Sequence, residues 1–152
     1  MARRTKLLPD QAVIEVGAGT GPVTKALLEA GIPADRLFVV EIDRDMCRFL
    51  RAKFPQAQVI EGDCTKLRDI IPAQWHGKIS TLVSGIPMLP LPFDVQKAML
   101  DSFFDVMAPG GKILQYTYSV VSPLPLEKHR LKGRREAFAV LNVPPAWVWS
   151  FE

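Results

Sequence analysis

Cysteine is scarce. Cys47 and Cys64 are the only two in 152 residues, and they form no CxxC pair. That excludes a disulfide scaffold and points to free thiols, a reducing compartment and no metal centre. Long apolar runs are also missing: nothing approaches the roughly 20 residues of a transmembrane helix. The basic start, MARRTKLLPD, is not followed by a signal-peptide core. These absences lead us to expect a cytoplasmic protein. An excess of one charge is lacking too. With 19 basic and 16 acidic side chains the net charge is +3, too mild to demonstrate a nucleic-acid partner. At 48% hydrophobic and 23% charged, the composition is globular, which excludes a disordered tail or a collagen-like chain. With no repeat, low-complexity block or linker, residues 1–152 read as a single domain.

The charge that is present is unevenly placed. Arg3, Arg4 and Lys6 lie at the start, and Lys128, Arg130, Lys132, Arg134 and Arg135 form one late segment. Such patches suit a phosphate, a lipid head group or RNA; the plain alternative is a solvated tail and loop. Proline is abundant, 13 in all, and clusters at Pro87, Pro90 and Pro92, at Pro123 and Pro125, and at Pro144 and Pro145. Each cluster follows a predicted strand, so all three would stiffen the rim of one crevice.

Strand and helix patterns alternate. Strands are expected at Ala12 to Val16, Leu37 to Ile42, Gln58 to Glu61, Ile79 to Val83 and Lys112 to Tyr118. Helices are expected from Val23 to Gly31, from Asp45 to Phe54 burying Met46, Phe49 and Leu50, and from Asp94 to Met107. The last should bury Leu100, Phe103, Phe104 and Met107. Leu67 to Ile71 reads as a helical turn, and Pro109-Gly110-Gly111 as a turn. Glu136 to Leu141 and Ala146 to Phe151 read as a closing hairpin. This order implies an α/β fold with a mostly parallel sheet covered by helices.

The strongest motif is Glu15-Val16-Gly17-Ala18-Gly19-Thr20-Gly21, between a strand and a helix. Small residues allow a sharp turn and close backbone approach, and the helix start offers free N–H groups. A dinucleotide fingerprint read from Gly17 would need Gly or Ala at position 22, where Pro22 stands, so a nicotinamide dehydrogenase is disfavoured. GxGxG preceded by an acid resembles motif I of class I S-adenosylmethionine-dependent methyltransferases. Glu41 lies about 20 residues beyond the loop, at the end of the second strand, where a carboxylate can accept from ribose hydroxyls. Asp43 either shares that role or caps the next helix. Gly62-Asp63-Cys64 ends the third strand.

The resemblance spans Val13 to Phe151. It implies a Rossmann-like, seven-stranded sheet whose last strand is antiparallel, made by a hairpin through Pro144 and Pro145. It implies S-adenosylmethionine as cofactor and S-adenosylhomocysteine as product, held by Glu15, Gly17, Ala18, Gly19, Gly21, Glu41, Ile42, Asp63, Cys64 and Ser84. In it Asp63 takes the adenine amino group, Cys64 acts through its backbone, and Glu15 lies near the methionine end. Helices ahead of the first strand are missing or truncated relative to that family, since only MARRTKLLPDQ precedes Ala12. The expectation is therefore a partly uncovered sheet face with an exposed apolar patch, and a homodimer.

The fourth strand ends in Ser84-Gly85-Ile86-Pro87, not in the [ND]PP[YF] or NLPY of nucleic-acid amino-methylating enzymes. With MLPLP, QYTYS, VSPLP and NVPPAWVW, the chain resembles bacterial phospholipid N-methyltransferases, similar in motif order to ribosomal RNA adenine dimethylases. That resemblance implies methylation of phosphatidylethanolamine towards phosphatidylcholine, peripheral at the inner face of the cell membrane. The amine must be neutral to attack, so a proton must leave. Tyr116 and Tyr118 share a face of the fifth strand, and one of them, with Ser84 or a turn carbonyl, would orient the amine and take that proton. The plain alternative is a pair of core tyrosines. Arg130, Arg134 and Arg135 are candidates for the lipid phosphate. Rival functions are ribosomal RNA adenine N6-dimethylation, supported by the basic segments, and a non-catalytic cofactor-binding module.

Overall fold

The structure, a computed structural model, describes residues 7–117, 122, 124–139 and 146–152. Two strands form its centre. β1 (Ala12–Val16) and β2 (Leu37–Glu41) are buried at every position, as strands covered on both faces must be. Between them α1 (Pro22–Glu29) starts on Pro22, whose fixed φ suits a first helical turn. α2 (Arg44–Lys53) is capped by Asp43, whose side chain accepts from the Asp45 and Met46 N–H groups. Asp45 in its first turn and Arg51 and Lys53 in its last oppose the helix dipole.

β3 (Gln58–Glu61) is an edge strand, followed by a 3-10 turn at Cys64–Lys66 and the short α3 (Leu67–Ile70). β4 (Ile79–Ser84), α4 (Phe93–Val106), β5 (Met107–Thr117), α5 (Leu126–His129), β6 (Gly133–Ala139) and β7 (Ala146–Phe151) complete the chain. The seven strands run in the order β3-β2-β1-β4-β5-β7-β6. β1 to β5 are parallel, and β7 is antiparallel to both β5 and β6. This is the expected Rossmann-like sheet. Its order reverses between β1 and β4, which opens a crevice at the carboxyl ends of the strands. The Pro144–Pro145 connection lies outside the described residues.

Several local expectations are corrected. α2 buries Cys47 and Leu50, whereas Met46 is half-buried and Phe49 is exposed. The inward stripe is set by Leu50 against Gly21, where an added Cβ would meet Leu50 and Phe54. α4 buries Met99, Leu100, Phe103 and Val106 at i, i+3 and i+4 spacing, so Phe104 falls on the flank and is exposed. Met107 already belongs to β5. Pro109-Gly110-Gly111 is a bulge within β5 rather than a turn before it: Ile79 pairs with Met107, and pairing resumes at Thr81 with Lys112.

One face of the sheet, with Ile14, Val16, Leu82 and Ile113, packs with Leu67 of α3 and Phe103 of α4. The other, with Val13, Val39, Val83 and Leu114, packs with Leu27 of α1 and Leu50 of α2. On that second face a groove of about 650 Å³ lies beside Leu8, Thr81, Lys112, Leu114, Arg134 and Glu136. Among the described residues this groove is not an apolar patch, since charged side chains line it. Lys112 pairs with Glu152 at 2.9 Å and Arg134 with Glu136 at 2.9 Å along it. Among the described residues no helix is long and apolar enough to cross a membrane.

Candidate functional site

The crevice begins at the glycine loop. Gly17, Gly19 and Gly21 all have positive φ, at 68°, 54° and 78°, so the turn demands glycine at each. A Cβ on Gly17 would stand 2.5 Å from Ile86 Cγ1, and one on Gly85 would stand 2.5 Å from the Gly17 carbonyl oxygen. The post-β4 turn therefore rests directly on the glycine loop. Gly19 is the opposite case, with nothing within 4 Å of its missing side chain. Ala18 is buried beneath the loop.

Glu41 closes this loop from the end of β2. Its Oε2 accepts from the Gly19 N–H at 3.0 Å, and its Oε1 accepts from the Ile42 and Asp43 N–H groups at 2.9 and 3.1 Å. A carboxylate offers about four acceptor positions, so one ribose hydroxyl fits beside these bonds. Ile42 is 70% exposed beside that carboxylate, an apolar wall open to a flat ring. Asp43 serves as the α2 cap, which decides between its two expected roles. Asp63 accepts from the Thr65 N–H through Oδ1, leaving Oδ2 for an external donor. Cys64 is half-buried, and burial with the adjacent Asp63 pushes its thiol up to about 11, so it stays neutral.

Glu15 is not on the crevice surface. It is 2% exposed, and its Oε2 accepts from the Thr24 hydroxyl at 2.6 Å, tying β1 to α1. Burial raises its pKa to about 7, against the lowering effect of the Thr24 bonds. Its measurable role here is to shape the loop from below. Together the open Gly19 cradle, the Glu41 and Asp63 acceptors and the Ile42 wall fit S-adenosylmethionine, which offers hydroxyl and amino donors and a flat base to match them.

On the acceptor side, Ser84 is fully buried, and its Oγ accepts from the Ile86 N–H at 3.3 Å. Its hydroxyl braces the turn. Ser84 pairs in register with Gln115 and so shares its face of the sheet, which puts Tyr116 on the opposite face. This corrects the expected joint action of the Tyr116 and Ser84 side chains, because strand alternation separates them. Tyr118 lies outside the described residues. Gln115, which the sequence analysis missed, is wholly buried and donates through Nε2 to the Ile86 carbonyl at 2.8 Å. Only the pairing of β4 with β5 could reveal it.

The expected phosphate cations are dispersed. Arg134 lies across from Ser150, which itself pairs with Leu114, and is bound to Glu136. That ion pair already engages its guanidinium, on the sheet face that carries Leu114. The Arg135 guanidinium lies 5.1 Å over the Trp147 ring. Arg130 is exposed after α5 in a left-handed conformation. His129 stacks on Phe93 at 4.5 Å and bonds Gln96, which fastens α5 to α4. Arg3, Arg4 and Lys6 lie outside the described residues.

A family model described as a methyltransferase domain matches residues 13–111. The ornithine lipid N-methyltransferase of Singulisphaera acidiphila is 31% identical over 144 residues, covering 90% of this chain and 72% of that protein. The ribosomal RNA small subunit methyltransferase A of Leptothrix cholodnii is 37% identical over 154 residues, covering 90% of this chain and 51% of that protein. The chain spans still less, 31%, of the homonymous enzyme from a Synechococcus strain. Among solved structures, a TehB-like methyltransferase from Corynebacterium glutamicum matches with TM-score 0.65 at 17% identity, covering 94% of this chain and 81% of that one. A glycopeptide N-methyltransferase complexed with S-adenosylhomocysteine matches with TM-score 0.61 at 18% identity, covering 90% and 51%.

Proposed function

The chain belongs to the class I S-adenosylmethionine-dependent methyltransferases, and from that premise we propose that its acceptor is a lipid-borne primary amine, phosphatidylethanolamine, methylated towards phosphatidylcholine. One observation carries this reading. The post-β4 turn, Ser84 to Pro87, rests on the glycine loop and bears neither a carboxamide at its first position nor an aromatic ring. A flipped base would need an aromatic or apolar sandwich there. A small aliphatic amine needs only a hydrogen-bond acceptor, which the backbone supplies. The relative that methylates the amine of another lipid supports the same class of acceptor.

When bound, S-adenosylmethionine supplies a methyl group on a sulfonium, which a neutral amine attacks. The protein then has to align, desolvate and deprotonate. Glu41, Ile42 and Asp63 would hold the nucleoside end, and the backbone of Gly17 to Gly19 the amino-acid end. The Ile86 carbonyl accepts an amine N–H, and the Tyr116 phenol relays the departing proton, accepting it on oxygen as its own hydroxyl proton passes to water. Of the expected phosphate cations, Arg130 and Arg135 remain. The reaction takes place at the cytoplasmic face of the membrane.

A second reading, adenine N6-dimethylation of ribosomal RNA, is favoured by the RNA methyltransferase relatives. Radiolabelled S-adenosylmethionine offered to phosphatidylethanolamine vesicles and to unmodified ribosomal RNA separates the two. Label in lipid is expected. Label in RNA alone overturns the lipid reading. S-adenosylhomocysteine binding with no label in either leaves a cofactor-binding module.

A further inference from the structure

We propose that Gln115 is the positioning residue of the acceptor site, holding the Ile86 carbonyl, and with it the post-β4 turn, against the glycine loop. This rests on the reading of that turn as the place where the amine is held.

Gln115 is 0% exposed on β5, in register with Ser84 on β4. Its Nε2 donates twice, to the Ile86 carbonyl at 2.8 Å and to the Tyr116 carbonyl at 3.0 Å. Both amide hydrogens are thereby used, which fixes the side-chain orientation. A flipped amide would set Oε1 against two carbonyl oxygens. One buried side chain thus joins the backbones of the two groups assigned to the amine, Ile86 and Tyr116.

The same orientation leaves Gln115 Oε1 buried without a hydrogen-bond partner. Directly across on β7, Trp149 likewise leaves its indole N–H buried and unpaired. A buried carbonyl oxygen without a partner loses its hydration and gains nothing in return. A methionine of similar length would fill the space without that orphaned oxygen, but would leave the Ile86 and Tyr116 carbonyls without their donor. The amide is accounted for by what it holds, the Ile86 and Tyr116 carbonyls. Ile86 is the residue whose side chain covers Gly17 and whose N–H is held by Ser84. Releasing its carbonyl frees the turn on the side facing β5 while the cofactor contacts at Glu41 and Asp63 stay in place.

The test compares the wild-type protein with Gln115→Met and Gln115→Glu. It reads thermal midpoint, S-adenosylhomocysteine Kd, hydrogen exchange at Gly85 and Ile86, and kcat and KM for phosphatidylethanolamine vesicles. In Gln115→Met we expect a modestly lower midpoint, an unchanged Kd and faster exchange. Acceptor kcat/KM should fall by about ten-fold or more. In Gln115→Glu, activity relative to wild type should recover as pH is lowered, because only the protonated carboxyl can donate to Ile86. Gln115→Met should show no such recovery. Wild-type exchange and kcat/KM in Gln115→Met would overturn the proposal. So would a parallel fall of midpoint, cofactor affinity and activity, the mark of a structural role alone. If wild-type protein labels RNA and no lipid, the lipid reading fails. The exchange measurement then still decides for or against Gln115: faster exchange supports the hold on the turn, and unchanged exchange overturns it.

Discussion

Glu41 Oε2 accepts a hydrogen bond from the Gly19 N–H at 3.0 Å, so the end of β2 holds the turn of the glycine loop from 22 residues away. The same carboxylate takes two further N–H groups at the start of the next turn. Replacing Glu41 by Gln substitutes a donor for one of these oxygens and leaves at least one amide unpaired, a cost of about 1–3 kcal/mol. Glu41→Gln should weaken S-adenosylhomocysteine binding by about ten-fold or more and lower the thermal midpoint. Titration calorimetry and a melting curve check both.

Glu15 gives the protein a pH dependence of definite sign. Its folded pKa of about 7 lies above the ordinary value of 4.5, because burial disfavours the charge. Between those values the folded state holds a proton that the unfolded state has lost, so stability falls as pH rises from 4.5 to 7 and then levels. Glu15→Gln keeps an oxygen for the Thr24 hydroxyl and removes the titration. At pH 8 it should be more stable than wild type by up to about 3 kcal/mol, with little difference near pH 4. Urea unfolding at both pH values measures this, and an equal urea dependence in the two proteins would count against it.

Gly85 and Gly110 make a matched pair. An added Cβ at Gly85 meets the Gly17 carbonyl oxygen at 2.5 Å, and backbone has little room to yield. Gly85→Ala should therefore separate the two loops, costing about 1–3 kcal/mol and most of the S-adenosylhomocysteine affinity. At Gly110, with φ 73° and open space, alanine meets only the left-handed strain of about 1–2 kcal/mol. Its cofactor affinity should stay at the wild-type value.

Cys64 should be inert despite its place beside Asp63. A thiol at about 11 is roughly 200-fold less ionised at pH 8 than one near 8.5. Iodoacetamide should label it slower than a free cysteine by about that factor, and Cys64→Ala should retain turnover.

Tyr116→Phe removes the phenol proposed to take the amine proton. Turnover on lipid should fall by about 100-fold, in the range of one general-base group. Unchanged turnover would remove Tyr116 from the mechanism and leave it as a wall of the crevice.

Much of this was written in local patterns. The alternation of buried runs with helical stripes specifies the strands and helices, because burial on both faces needs unbroken apolar strands such as Ala12–Val16. The three left-handed glycines, the carboxylate that ends β2 and the acid after β3 sit at fixed offsets along the chain, so spacing together with the family resemblance proposed the cofactor side. What only the tertiary structure decided depends on strands distant in sequence. The pairing of β4 with β5 put Ser84 and Gln115 on one face and Tyr116 on the other. The pairing of β6 with β7 set Arg134 on the face of Leu114, bound to Glu136. The faces of α2 and α4 followed which neighbours they met, so Phe49 and Phe104 turned outward although both are aromatic. Periodicity records how a residue relates to its own element. Which side of the sheet that element shares with a partner is set by register, and register is a property of the assembled sheet.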